Sequence, residues 1–257
     1  MTTQSASSLW LARPTPKPQA RLRLFCFPFA GGGVAVFRGW AQALPPDVEA
    51  CYVQLPGRDS RLREPLHNRL LSLVDVLAEA MLPYLDKPFA FFGHSLGALL
   101  SFELARVLRK RRGLNPAHLF VSARRAPQLP DPLPPIHPLP EAEFIAALRQ
   151  RYDGLSLAFL QEPELVQIFL PVLRADLAMV ETYNCQPDDP LACPISAFGG
   201  LKDGTVKQEA LAAWRAQTQN VFAMEMFPGN HFFLQNDQAL LLKSLSRQLE
   251  QTLTHLT

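Results

Sequence analysis

The chain has 257 residues, 48% of them hydrophobic, with a formal net charge of +2 and a pI near 8.4. That length and apolar content suit one large α/β unit around a single core. A charge so close to balance, with no basic tract interleaved with aromatics, argues against nucleic acid as a partner.

The first twenty residues hold Leu9-Trp10-Leu11-Ala12 followed by Pro14, Pro16 and Pro18. They lack the charged and then apolar pattern of an export leader and read as a flexible arm over 1–20, leaving 21–257 as a single domain. No run approaches the roughly 18 consecutive apolar residues of a membrane span. Neither a membrane nor export is expected, and the cytoplasm is the expected location. Strand-like apolar runs follow at Leu22 to Phe29, Glu49 to Leu55, Pro88 to Gly93, His118 to Ala123, Pro194 to Gly199 and Val221 to Phe227. Between them, Leu70 to Leu85, Leu96 to Arg112, Gln208 to Gln219 and Gln238 to Leu253 carry apolar residues at helical spacing. The alternation predicts a mostly parallel sheet covered by helices on both faces.

From Ala126 the rhythm breaks. A proline-dense stretch to Pro140 leads into helical patterns at Glu141 to Arg151 and Glu164 to Tyr183, with no strand before Cys193. An insertion over about 127–192, entered through a stiff linker at the carboxyl edge of the sheet, is the position of a lid over an active site. Phe159, Leu160, Phe169, Leu170, Leu173, Leu177 and Met179 give it apolar stripes, expected to serve mainly as core and in a few places as pocket wall. The four cysteines, Cys26, Cys51, Cys185 and Cys193, show neither metal-ligand spacing nor a disulfide framework. Reduced thiols and no metal are therefore expected.

The chemistry centres on Phe92-Gly93-His94-Ser95-Leu96-Gly97. A buried run before this Gly-x-Ser-x-Gly pattern and a helix after it form the strand-turn-helix setting of a nucleophile elbow, which assigns the α/β-hydrolase fold. A serine hydroxyl needs a general base and a carboxylate to orient that base, in the chain order Ser, acid, His. His67 precedes the serine, His94 lies in the elbow, His118 begins a strand, His137 is in the linker and His255 in the tail. His231, just past a strand, is the base by elimination. Asp203 follows the run Pro194 to Gly199 and is the acid, whereas Asp188 and Asp189 precede that run and Glu209 lies inside a helix. The oxyanion needs two amides. Leu96 supplies one by position, and Phe27-Pro-Phe-Ala-Gly-Gly-Gly33 supplies the other, with Ala30 the expected donor. That glycine run has neither the Gly-Lys-Ser/Thr ending nor the Gly-x-Gly-x-x-Gly spacing of a nucleotide loop, and no cofactor is expected.

Several segments together resemble stand-alone type II thioesterases, which accompany polyketide synthases and nonribosomal peptide synthetases. They are Phe27-Pro-Phe-Ala-Gly-Gly, Gln54-Leu-Pro-Gly-Arg58 with Arg61 and Glu64-Pro65, Phe92-Gly-His-Ser-Leu-Gly-Ala98, Arg124-Arg125-Ala-Pro127, Leu173-Arg-Ala-Asp176 and Gly229-Asn-His-Phe232. The resemblance implies the same triad, Ser95, Asp203 and His231, the same oxyanion amides, Ala30 and Leu96, and a mobile helical lid. It also implies a substrate acylated on the phosphopantetheine arm of an acyl or peptidyl carrier protein. Arg124 and Arg125 are candidates for contact with that partner. Arg106, Arg109, Lys110, Arg111 and Arg112 instead suit the C-terminal dipole of their own helix, and Arg58 either fixes its loop or faces substrate. The competing readings are an esterase or lipase of small free esters and a binding protein that has lost its triad. The three filled triad positions argue against the second. No heptad or exposed repeat suggests assembly, so a monomer is expected.

Overall fold

Seven strands form one sheet: β1 (Leu11–Ala12), β2 (Leu22–Phe27), β3 (Val48–Val53), β4 (Phe89–His94), β5 (His118–Ser122), β6 (Ile195–Gly200) and β7 (Phe222–Phe227). The computed structural model describes residues 9–152 and 158–256. Its helices are α1 (Trp40–Ala43), α2 (Leu70–Met81), α3 (Leu96–Arg112), α4 (Glu141–Arg151), α5 (Pro163–Glu181), α6 (Gln208–Ala212), α7 (Phe233–Asn236) and α8 (Gln238–Thr254). The strands lie in the order β1-β3-β2-β4-β5-β6-β7, with β1 antiparallel to β3 and every other neighbouring pair parallel.

Strand periodicity explains why the inner runs are apolar throughout rather than alternating. Phe25, Phe27, Phe91, Leu119 and Val121 point to the layer that holds α2 and α3. Their neighbours Leu24, Cys26, Ala90, Phe92 and Phe120 point to the layer that holds α1 and α8. Among the described residues, no helix is long and apolar enough to cross a membrane. All four cysteines are unpaired, and burial pushes the Cys51 and Cys193 thiols up to about 12. These two stay protonated near neutral pH and do not compete as nucleophiles.

The sheet order places the chemistry. β2 leads outward to β3, and the chain then crosses back to lay β4 on the other side of β2, so the carboxyl ends of β2 and β4 flank the point where the winding reverses. In open α/β sheets ligands bind at this crevice. Ser95 follows β4, the glycine loop follows β2, Asp203 follows β6 and His231 follows β7. Among the described residues, 127–192 carry α4 and α5 and no strand of the sheet, and Leu170, Leu173 and Leu177 of α5 pack with Ile136, Phe144 and Leu148 into a small core of their own. Met179 joins the main core instead, and Phe169 is partly exposed. Phe159 and residues 153–157 lie outside the described side chains.

The basic end of α3 is neutralised within the molecule. Arg106, Arg109 and Lys110 converge on Asp188, Arg111 meets Asp75 and Arg112 meets Glu79. Gly113, at φ +67, then caps the helix with its amide on Arg109 and Leu108 carbonyls.

The described part of the N-terminal arm departs from the expectation of a loose tail. Leu11 and Ala12 pair with Val53 and Tyr52, and the Gln54 amide donates to the Trp10 carbonyl at 2.9 Å. Arg13 and Arg23 both bond the carboxylate of Glu49, which is fully buried, at 2.5 and 2.8 Å. Two needs hold the arm in place: the edge of β3 presents unpaired backbone groups, and a buried carboxylate requires cations. A two-residue strand is too short for any periodicity to reveal. Removing residues 1–20 should therefore cost about 2–3 kcal/mol of stability in urea denaturation, whereas a loose arm would leave the midpoint unchanged.

Candidate active site

Ser95 sits between β4 and α3 at φ 55°, ψ −110°, a conformation a non-glycine residue adopts only under constraint. Its amide donates to the Ser122 carbonyl at the end of β5, 2.8 Å away. The two flanking glycines are required by contact. A Cβ at Gly93 would lie 2.1 Å from the Gly97 carbonyl oxygen, and one at Gly97 would lie 2.1 Å from the Phe27 carbonyl oxygen. The helix therefore starts directly against the end of β2, and the serine projects at the crest of the turn.

The three residues expected to act together do meet. His231 Nε2 lies 3.1 Å from Ser95 Oγ, and His231 Nδ1 lies 2.8 Å from Asp203 Oδ2. Asp203 Oδ1 accepts from the Thr205 amide at 2.8 Å, the Thr205 hydroxyl at 2.7 Å and the Val206 amide at 3.2 Å. Burial alone would raise the Asp203 pKa, but the hydrogen bonds from His231 and Thr205 outweigh it and hold the carboxyl below its usual range. The carboxylate therefore stays ionised and accepts a hydrogen bond from Nδ1–H of His231, an arrangement that turns the Nε2 lone pair toward Ser95 Oγ. Thr205 is a residue that the sequence alone does not mark. Its only local signal is its place two residues past Asp203.

His94 also has a structural role beyond its place in the elbow. It is fully buried, its Nε2 lies 2.8 Å from the His231 carbonyl and its Nδ1 lies 2.9 Å from Ser122 Oγ. Burial, followed by the neighbouring His231, lowers its pKa to about 3. A neutral His94 thus donates to the backbone of the residue expected to be the base. His118 lies at the opposite edge of the sheet, stacked on Phe120 and bonded to Ser196 and Thr252, away from the triad.

The glycine loop after β2 faces the same crevice. Ala30 and Ser95 line one cavity together with Phe29, Leu148, Tyr152, Leu173, Leu177, Val180, His231 and Phe232. Among the described residues the Ala30 amide has no acceptor, and the Leu96 amide stands in the first turn of α3, where the helix offers it none. The cavity measures about 20 Å³, room for about one water molecule. The helices α4 and α5 supply Leu148, Leu173, Leu177 and Val180 to its wall, so the insertion covers the serine closely. Among the described residues no cluster of His, Cys, Asp or Glu is placed to hold a metal ion.

Arg124 and Arg125 are not presented as docking groups. The Arg125 side chain turns inward to the carbonyls of Pro130 and Thr205, and both arginines lie near Asp131 of the linker, which folds back over them. Burial lowers the Arg124 pKa, with Asp131 only partly opposing it. Arg58 fixes its own loop through the Pro56 carbonyl and pairs with Asp176 of α5.

The thioesterase domain family matches residues 22–252 of the chain. The gramicidin S biosynthesis protein GrsT of Aneurinibacillus migulanus is 43% identical over 253 residues, 98% of each chain. Among solved structures, the RedJ thioesterase of the prodiginine pathway in Streptomyces coelicolor superposes with a TM-score of 0.84 at 41% identity, covering 92% of this chain and 88% of that one. YbtT, a type II thioesterase from the yersiniabactin NRPS/PKS pathway, superposes with a TM-score of 0.83 at 30% identity, covering 95% and 99%.

The depressed pKa of His94 has a consequence for stability. Its ordinary value is 6.5 and its folded value about 3. Between these the unfolded chain binds a proton that the folded chain excludes, so stability present above pH 6.5 is lost progressively as pH falls toward 3. A His94→Asn variant should be less stable at neutral pH but show a shallower acid limb in urea denaturation from pH 7 to 4. Parallel limbs in the two proteins would contradict this.

Proposed function

The chain belongs to the thioesterase domain family, enzymes that act on thioesters, and we propose that it is a type II thioesterase clearing acyl groups from carrier proteins of a polyketide synthase or nonribosomal peptide synthetase. The observation that carries the chemistry is the alignment of Ser95 Oγ, His231 and Asp203 at 3.1 and 2.8 Å. In the proposed cycle Ser95 Oγ attacks the thioester carbonyl while His231 Nε2 takes its proton. The oxyanion is held by the amides of Ala30 and Leu96. Collapse breaks the carbon–sulfur bond, and the imidazolium returns the proton to the departing thiolate, which leaves as the thiol of the phosphopantetheine arm. His231 then deprotonates a water that attacks the acyl-enzyme, and a second collapse releases the carboxylic acid and restores Ser95.

The carrier-bound substrate is supported by the pathways named for GrsT, RedJ and YbtT. The cavity of about 20 Å³ over Ser95 leaves little room for an acyl group, and in the proposed reading α4 and α5 move as a lid to admit substrate. Arm and acyl chain then approach from the side that these helices close.

Rates of acid release should be compared on an acylated carrier protein and on the same acyl group linked to a short free thiol. A preference for the carrier of at least about tenfold in kcat/KM supports the proposal, and Ser95→Ala should lower the carrier rate by about 10⁴-fold or more. Equal rates on carrier and free thiol would favour a general esterase.

A further inference from the structure

A buried ion pair ties α5 to the loop that carries Ala30. Asp176, 1% exposed, accepts the Gly31 amide on Oδ2 at 2.7 Å. Arg58, 5% exposed, grips the same carboxylate in a fork, Nη1 to Oδ2 at 2.6 Å and Nη2 to Oδ1 at 2.9 Å. Arg58 also donates to the Gly32 carbonyl at 3.3 Å and to the Pro56 carbonyl at 3.2 Å. Three segments remote in sequence are thus joined at one carboxylate: the loop after β2, the loop after β3 and α5.

A second contact joins the same two elements. Gly31 has φ +76, and a Cβ there would lie 2.5 Å from Leu173 Cδ2, one turn before Asp176 on α5. The loop backbone is therefore fitted to this helix by shape as well as by hydrogen bond. Replacing a buried ion pair by apolar residues of similar volume is often neutral for stability, so stability alone is weak grounds for such a pair. What this pair does specifically is fix an amide. Ala30 and Gly31 share a peptide plane, and holding the Gly31 N–H on Asp176 fixes the backbone immediately beyond the Ala30 amide. It also withholds the Gly31 N–H from the crevice, leaving Ala30 as the loop's donor there.

We propose that Asp176 is a positioning residue, held by Arg58, that sets the oxyanion amide of Ala30 and makes this geometry depend on α5 being seated. The proposal rests on the serine-hydrolase reading above. Leu173 and Leu177 of the same helix wall the cavity over Ser95. A displacement of α5 large enough to admit an acyl chain would also draw the carboxylate from Gly31. The oxyanion site would then be complete only once the helix has closed again over the substrate.

Two paired variants separate positioning from packing. Arg58→Gln with Asp176→Asn removes both charges but keeps an acceptor for Gly31, whereas Arg58→Met with Asp176→Leu removes the acceptor as well. The Met/Leu pair should lose roughly 10²-fold in kcat with KM nearly unchanged, and bind an alkyl boronic acid, which forms a tetrahedral adduct on Ser95, more weakly by a similar factor. The Gln/Asn pair should recover most of both. Equal kcat and equal boronate affinity in the two pairs would overturn the proposal. A measurement on the unaltered protein serves if the Met/Leu pair does not fold. On boronate binding the Ala30 and Leu96 amide resonances should shift while Gly31 stays protected from hydrogen exchange. A Gly31 amide that moves onto the adduct would equally overturn it. Retained hydrolysis in Ser95→Ala would sink the underlying reading instead, so the two failures are distinguishable.

Discussion

The contact on which the site depends is the one between the first turn of α3 and the end of β2. A Cβ at Gly97 would stand 2.1 Å from the Phe27 carbonyl oxygen, so only glycine lets the helix start that close. This approach brings the elbow beside the glycine loop that continues from Phe27. It also forces Ser95 into its φ of 55°. Backbone strain of this kind costs on the order of 1–3 kcal/mol and persists only where the surroundings over-determine it. Here the surroundings are a sheet buried on both faces, the Ser122 carbonyl that holds the Ser95 amide, and Gly93 packed against Gly97.

The sheet supplies the remaining groups without further strain. Parallel strands deliver all their carboxyl-end loops to one edge, so Asp203 after β6 and His231 after β7 arrive beside Ser95 although 136 residues separate His231 from the serine. Thr205 and Val206 orient the carboxylate, and neutral His94 holds the His231 carbonyl. The loops that carry these groups stay close to regular structure, Asp203 three residues past β6 and His231 two before α7. Elements this rigid hold short distances better than free loops can.

Much of this was legible in the sequence because it depends on local rules. The six long strands follow from apolar runs bounded by turn residues, and α3 from its helical periodicity. The meeting of Ser95, Asp203 and His231 follows from chain order combined with the rule that reactive loops leave the carboxyl ends of strands. What escaped notice depends on pairing between remote segments. β1 is two residues long and exists because β3 has an open edge and Glu49 needs Arg13. Asp176 lies 118 residues from Arg58, and nothing in either segment reveals the partner. Arg124 and Arg125, as sequence, are candidates for contact with a carrier because they leave a strand beside the linker. The folded-back linker and Asp131 cover them instead. The position of His94 in the elbow, which excludes it as the base, is also what places it under His231.

The insertion bears most directly on the proposed reaction. α4 and α5 have their own small core and supply one wall of the cavity of about 20 Å³ over Ser95. In the proposed reaction this cover keeps bulk water from the acyl-enzyme and has to move aside to admit substrate. The most direct test of the account is to mix the enzyme with an acylated carrier protein, quench at millisecond to second times, and follow the enzyme by peptide mass spectrometry. The account predicts an acyl group on the peptide containing Ser95 that appears as the carrier thiol is freed and decays as the acid is released. Acid release with no acylated enzyme at any time, or an acyl group on another residue, would contradict it.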